Sequence, residues 1–229
     1  GAERERLVAA LVDTLATAQQ QGADAIDVYC DVGAFTLEET RRLLARAKAV
    51  GLLLRCHAEQ FTYTGAAQLA AELGARSVEH LEQLDPPGRA AMAAHQTIAN
   101  LLPGAALTLR LPWPDAAQLR NAGVTIALGT DCNPGSSHTP SQQLMMSLAC
   151  TQMGLSCAES WLAVTQHAAR SIGCDARGQL VPGAPADFVL WDADGFQQVC
   201  QQLGLNLVRS VWVAGTEQVL DGVRVSTAE

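Results

Sequence analysis

The sequence predicts an α/β fold: five strands alternating with helices as in part of a (β/α)8 barrel, then a small separate layer of short strands. Two observations carry this. Short apolar runs begin near residues 25, 52, 77, 97 and 125, with longer amphipathic stretches between them. That interval is the length of a βα unit in a parallel sheet. After Gly173 the texture changes to turn-rich segments separated by short β-type runs. Periodicity alone leaves an open doubly wound sheet as the alternative, because a complete eightfold barrel takes about 250 residues by itself.

Residues 25–30 read as the first strand. Residues 37–50 read as a helix, with Thr36 as N-cap and Glu39, three residues on, as its capping-box partner. A strand at 52–57 and a helix at 65–73 follow, then a strand at 77–80 and a helix at 87–95. The last two units are strand 97–101 with helix 115–122 and strand 125–129 with helix 141–153. Beyond them, Gly178-Gln179-Leu180-Val181-Pro182-Gly183 is turn-rich, and 186–192, 206–213 and 218–220 read as strands. Turns fall at Ala214-Gly215 and Asp221-Gly222. The expected organisation is a partial barrel over 1–173 and a β tail over 174–229.

Composition narrows the function. Hydrophobic residues make up 48% of the 229, enough for a sizeable core, but aromatics are only 4%, so Ala, Leu and Val must fill it. A net charge of −8 argues against a nucleic-acid surface, which needs clustered Lys and Arg. No apolar run reaches the roughly 20 residues of a membrane helix. The charged start, Glu3-Arg4-Glu5-Arg6, reads as a helix and not a signal peptide. Seven scattered cysteines with no CxxC spacing fit free thiols in a reducing cytoplasm.

Chemistry-bearing residues gather where strands end. His57 closes the second strand, His80 the third, and Asp131 the fifth. Active-site groups collect at the carboxyl ends of strands in βα folds. Imidazole and carboxylate together suit zinc or ferrous iron at an open catalytic position. Each residue alone has a plain reading: a strand-end His is commonly a satisfied polar group, and Asp131 before Asn133-Pro134-Gly135 suits an Asx turn. Their joint placement on three strands favours a site. His95 and His167 fall near expected helix C-terminal turns, and His138 lies in a loop, so these three are left out. Cys56 and Cys132 adjoin the candidates, but strand alternation turns them to the opposite face as small buried hydrophobes.

The motifs around these residues are His57-Ala58-Glu59-Gln60 with Gly65-Ala66-Ala67-Gln68-Leu69-Ala70, Val78-Glu79-His80-Leu81-Glu82, and Leu101-Leu102-Pro103-Gly104-Ala105 with Leu109-Arg110. Next come Gly129-Thr130-Asp131-Cys132-Asn133-Pro134-Gly135-Ser136-Ser137 and the helix Met145-Met146-Ser147-Leu148-Ala149-Cys150. In this order they resemble strands five to eight of the imidazolonepropionases, metal-dependent amidohydrolases with a TIM-like barrel. The tail, with Pro182-Gly183, Ala186-Asp187 and Trp191-Asp192, is similar to the wider amidohydrolase ending, which enters a small β-sandwich.

The resemblance implies the C-terminal part of such a barrel, about strands 4–8. It implies His57 and Asp131 as ligands of one divalent metal, zinc or iron, with Asp131 also the general base. His80 would orient the attacking water or stabilise the oxyanion. Gln60 and Ser136 would contact the imidazolone ring, and Asn133 with the backbone of Gly135 would hold the propionate. The implied reaction is hydrolysis of 4-imidazolone-5-propanoate to N-formimidoyl-L-glutamate. A nucleobase deaminase or cyclic-imide hydrolase shares the metal logic but not the Asn133-Pro134-Gly135 cradle. A non-catalytic half-barrel module would carry no metal.

In one respect the chain departs from the family. The family takes two further ligands from a His-x-His pair on strand one, and this sequence contains no such pair. The chain begins just before the family's strand four. The expectation is weak metal binding and little or no turnover by the chain alone, with a homodimer formed through the exposed edge at 25–30.

Overall fold

A computed structural model describes residues 1–225. A leading helix, α1 (Ala2–Gln20), lies over the first βα unit and is pinned to it by Arg4 with Glu39 and by Arg42 with Glu5. The units that follow are β1 (Ala25–Cys30), α2 (Leu37–Ala49), β2 (Leu53–Ala58), α3 (Ala66–Leu73), β3 (Ser77–His80) and α4 (Pro86–Ala94). Next come β4 (Ile98–Leu101), α5 (Pro103–Leu109), α6 (Ala116–Asn121) and β5 (Ile126–Leu128). Three helices complete this part: α7 (Gln142–Gln152), α8 (Cys157–Val164) and α9 (Gln166–Ser171).

The five strands pair in parallel in the order β1-β2-β3-β4-β5. A doubly wound sheet reverses its strand order at a switch point. This sheet does not, so it is a run of barrel strands. Alternation divides its faces. Val28, Cys56, Val78 and Ala99 stand in register and join the buried core beneath the helices. Tyr29, His57, Glu79 and Asn100 stand in register on the other face. The scarcity of aromatics shows in α3, where Ala66, Ala67, Ala70 and Ala71 are all fully buried, so the helix lies close to its neighbours.

Several boundaries differ from expectation. The second strand runs from Leu53 to Ala58, so His57 is its penultimate residue, and the fifth stops at Leu128, three residues before Asp131. Cys132 therefore sits in a loop where alternation does not apply, and it is exposed rather than buried. Helix α5 begins at a proline, which the first turn of a helix tolerates. Helix α8 carries a complete capping box from Ser156 and Glu159. His167 lies in the first turn of α9, not in a C-terminal turn, and its Nδ1 donates to the Ile126 carbonyl at 2.8 Å. His95 is the C-cap of α4.

After α9 the chain turns through Gly173 and Gly178 into β6 (Phe188–Trp191), α10 (Phe196–Gln201), β7 (Val208–Val213), β8 (Thr216–Leu220) and β9 (Val223–Arg224). The four strands form one antiparallel sheet, β6-β7-β8-β9. The short strands expected in the tail thus form one antiparallel sheet among the described residues. Phe188 stacks on Trp212 across it, with centroids 5.6 Å apart, and Trp191 meets Trp161 of α8 edge-on at 5.5 Å. No helix of the described chain is long and apolar enough to cross a membrane.

Candidate active site

Two cavities compete for attention. An apolar cleft of about 1020 Å³ lies between the antiparallel sheet and helices α7 and α8, lined by Trp161, Trp191 and Trp212 with little that can do acid–base chemistry. The other, about 380 Å³, opens at the carboxyl ends of the parallel strands and is lined by Tyr29, His57, Gln60, Phe61, His80, Leu109, Asp131, Asn133, Gly135 and Ser136. All seven residues singled out from the sequence lie on this one wall, although they come from three separate segments of chain.

The backbone around the cavity is strained where its side chains are presented. Glu59, His80, Leu81 and Asp131 all have positive φ, at 57°, 79°, 76° and 49°. Left-handed backbone in a non-glycine residue costs about 1–2 kcal/mol. These four lie at or just beyond the ends of β2, β3 and β5, where they set the exit direction of each loop.

His57 is oriented by Asp27, a residue the sequence reading passed over. Its Nδ1 lies 2.8 Å from Asp27 Oδ1. Beside a carboxylate the ring proton belongs on Nδ1, so Nε2 keeps its lone pair. Burial works to lower the His57 pKa, but the hydrogen bond to Asp27 and the charges of Asp27, Glu79 and Asp131 outweigh it, and the net shift is upward. Arg55 pairs with Glu79 at 2.8 Å and approaches Asp27 at 3.9 Å. Asp27, His57 and Glu79 place donor atoms within 4.8 Å of one another. With Arg55 neutralising Glu79 and His57 bonded to Asp27, this trio is an ion-paired network and not an open ligand set.

Gln60 is held by Tyr29, whose hydroxyl donates to Oε1 at 3.0 Å and so leaves the Gln60 amide N–H groups for the cavity. The Tyr29 hydroxyl is pushed up to about 12 by burial and by the charges of Asp31, Glu82 and Asp131. His80 is buried, its ring 5.1 Å from that of His57. Its Nδ1 lies 3.7 Å from Glu82 Oε1, too far for a hydrogen bond. Glu59, between His57 and Gln60, is structural: its carboxylate accepts from the backbone N–H groups of Thr64 and Ala67 and fixes the start of α3.

The Asp131 loop departs from expectation. Asn133 Oδ1 accepts from the N–H groups of Gly135 and Ser136 at 2.7 and 2.8 Å, and its Nδ2 donates to the Asp131 carbonyl and to Ser136 Oγ, both at 2.7 Å. Ser136 Oγ in turn donates to Asp131 Oδ2 at 2.8 Å. The Gly135 N–H expected to hold a substrate carboxylate is thus already engaged, as is the Ser136 hydroxyl. Asn133 folds the loop, and Ser136 steadies Asp131. Helix α7 starts only at Gln142, so the loop N–H groups are not helix N-terminal donors.

Imidazole and carboxylate fit a divalent cation of the zinc or iron type. The Asp27–His57 pair is the usual outer support of a metal-bound imidazole. Two donors, His57 Nε2 and Asp131 Oδ1, are right in kind but fewer than the three protein ligands of most catalytic zinc sites. Buried acceptors without a protein partner cluster on the same face: Glu79 Oε2, His80 Nδ1, both carboxylate oxygens of Glu82, and Asn100 Oδ1.

The sequence matches the amidohydrolase family over residues 6–218. The chain belongs to the amidohydrolase family. It is 44% identical over 194 residues to an imidazolonepropionase of Deinococcus deserti, covering 85% of this chain and 49% of that protein. It is 44% identical over 193 residues to an imidazolonepropionase of Paracoccus denitrificans, covering 84% of this chain and 48% of that one. The chain thus spans about half the length of the curated relatives it matches. Among solved structures, an adenosine deaminase from Xanthomonas campestris with bound zinc superposes with a TM-score of 0.76 at 19% identity, over 89% of this chain and 53% of that one. A mutant of the atrazine chlorohydrolase TrzN from Arthrobacter aurescens, complexed with zinc and atraton, superposes with a TM-score of 0.78 at 17% identity, over 97% and 57%. These two establish the amidohydrolase barrel fold and nothing about substrate.

Proposed function

We propose that this amidohydrolase chain supplies the strand-end half of an imidazolonepropionase site, which hydrolyses the ring C–N bond of 4-imidazolone-5-propanoate to N-formimidoyl-L-glutamate in histidine degradation. The observation that carries the reading is the gathering of His57, Gln60, His80, Asp131, Asn133, Gly135 and Ser136 on one cavity wall. The identity to imidazolonepropionases over the same residues supports it.

In this reading His57 and Asp131 hold a zinc or iron ion, which would polarise the ring carbonyl and acidify water. The chain's own residues do the rest. Asp131, steadied by Ser136, accepts the proton of the attacking water and returns it to the leaving ring nitrogen. His80 donates to the oxygen that gains charge as the carbonyl becomes tetrahedral. Gln60, with its oxygen fixed by Tyr29, presents its amide N–H groups to the ring. Asn133 and Gly135 shape the mouth where the propionate would lie, and binding it through the Gly135 N–H requires that group to leave Asn133. The free thiols fit a cytoplasmic setting, and the edge position of β1 in its sheet supports a homodimer.

The test is a protein that joins this chain to the first half of the Deinococcus deserti relative, loaded with zinc or ferrous iron. It is assayed on imidazolone propanoate beside cytosine, guanine and hydantoin. Turnover of the first alone, lost in His57→Ala and Asp131→Asn, supports the proposal. Preference for another substrate, or full turnover in His57→Ala, overturns it.

A further inference from the structure

Far along the chain from the cavity, three cysteines meet. Cys150 lies on α7, Cys157 opens α8 and Cys200 lies on α10, and their sulfurs are all within 4.8 Å of one another. Cys200 is buried, while Cys150 and Cys157 are only partly covered, so the cluster is closed on one side and reachable on the other. We propose that Cys150, Cys157 and Cys200 form a thiolate site for a soft d10 cation such as zinc, cadmium or monovalent copper.

The geometry suits such an ion. With metal–sulfur bonds of about 2.3 Å, sulfurs around a tetrahedral or trigonal centre stand roughly 3.8–4.0 Å apart. Closing from contacts within 4.8 Å to that spacing requires only side-chain adjustment. Thiolate sulfur selects soft cations over magnesium or calcium. The neighbouring polar group is Ser160 Oγ, 3.2 Å from Cys150 Sγ, and a hydroxyl is a poor ligand for such ions. The nearby Glu159 carboxylate is committed to Ser156 and Arg120. The site therefore offers three sulfurs, with water at the open side for a cation that takes a fourth ligand.

Without a cation the cluster holds its protons. Burial raises the Cys200 thiol far above its ordinary range, and the neighbouring thiols push it further. Burial raises Cys150 as well. Binding replaces thiol protons with the cation, which accepts the sulfur lone pairs, and the released protons pass to solvent. No oxidation is involved. Because α7 and α8 belong to the barrel and α10 joins β6 to β7, the bound ion would staple the C-terminal layer to the barrel.

The experiment titrates the reduced chain with cadmium ion alone and follows the ultraviolet thiolate-to-cadmium absorption. A Cys132→Ser background removes the exposed thiol beside Asp131. One equivalent should bind, with unchanged absorption in His57→Ala and Cys174→Ser. Cys157→Ser is the least disruptive test, because serine suits the first turn of a helix, and it should weaken binding about a hundredfold. Cys200→Ser should do the same. Cadmium should raise the melting temperature of the parent but not of Cys157→Ser, because a ligand of the folded state stabilises it. Absence of thiolate absorption in the parent, or undiminished binding in folded Cys157→Ser, overturns the proposal.

Discussion

Replacing Asn133 with alanine tests whether the Asp131 loop is built by that side chain or merely carries it to the substrate. Asn133→Ala removes four hydrogen bonds of 2.7–2.8 Å, two of them accepted from the N–H groups of Gly135 and Ser136. A hydrogen bond contributes about 0.5–1.5 kcal/mol net, and the low end applies where freed groups can turn to water. Gly135 is exposed and Ser136 partly so, which puts the loss near 2 kcal/mol for closing the loop. That corresponds to roughly thirtyfold faster amide exchange at these two residues. The assay is hydrogen exchange by NMR on the chain alone, with the Gly129 N–H, bonded to the Leu101 carbonyl, as an unaffected control. Global unfolding by urea should shift little, because the loop opens locally. Unchanged exchange at Gly135 and Ser136 would refute the reasoning. If the joined enzyme then showed a raised KM with an unchanged kcat, Asn133 would be a direct substrate ligand after all.

Other perturbations follow from the same geometry. Asp27→Asn should weaken metal binding about 10–100-fold by freeing the His57 ring, and unchanged affinity in a chelator competition would contradict that. The chain alone, with two candidate ligands, should bind zinc weakly and turn over imidazolone propanoate far more slowly than the joined protein; equal rates would mean that another residue completes the site. The Arg4 guanidinium and the Thr36 backbone lower the Glu39 carboxyl from its ordinary 4.5 to about 2. A depressed carboxylate contributes stability above its unfolded pKa and loses it as pH falls toward the folded one. Because Arg4 is about half exposed, the contribution is about 1 kcal/mol. Glu39→Gln should therefore be less stable by that amount at pH 7, with the difference vanishing toward pH 2, read by urea melts. Gly178 has a φ of 76°, and a Cβ there would meet the Thr165 carbonyl and the Gln166 nitrogen. Gly178→Ala should thus cost about 2–3 kcal/mol, seen as a lower melting temperature.

The parts of this fold that could be read in the sequence are those that local chemistry dictates. The capping box at Thr36 and Glu39 and the buried apolar strand centres at Val28, Cys56 and Val78 are set by neighbours in the chain. An equally plain capping box at Ser156 and Glu159 was legible but unread, because no helix was expected between 153 and 173. The strand ends were harder, since β5 stops where pairing with β4 ends at Leu128, a tertiary event with no local signal. Of the seven residues on the cavity wall, His57, His80 and Asp131 could be named because each sits at or near a strand end, whereas Gln60, Asn133, Gly135 and Ser136 were implied by the family resemblance of their motifs. Their partners could not be named: Asp27 is thirty residues from His57, and nothing in the second strand signals it. The hydrogen bonds of Asn133 could not be read for a related reason, because a motif shows which residue is present but not which donors its neighbours engage.

The polar face of the parallel sheet shows what the fold sacrifices for its chemistry. Glu82 has no exposed side-chain surface, and neither of its oxygens has a hydrogen-bond partner. Glu79 Oε2, His80 Nδ1 and Asn100 Oδ1 are in the same position. A buried polar group left unpaired costs about 1–3 kcal/mol, and more if charged. Among the described residues the helix-covered face of the same sheet leaves one such group, the Thr40 hydroxyl, so unpaired atoms are concentrated on the polar face. A domain that is stable by about 5–15 kcal/mol in total does not gather five unpaired acceptors on one face for stability. Their common location beside strained His80 and Leu81 points to groups that receive their partners from outside these residues. A cation or a hydrogen-bond donor entering that face would bind against a deficit that it relieves. Ligand binding there should therefore raise the stability of the strand ends more than that of the antiparallel tail, a difference that residue-resolved exchange with and without zinc would reveal. Uniform protection, or protection confined to the tail, would show that the unpaired acceptors are incidental to binding.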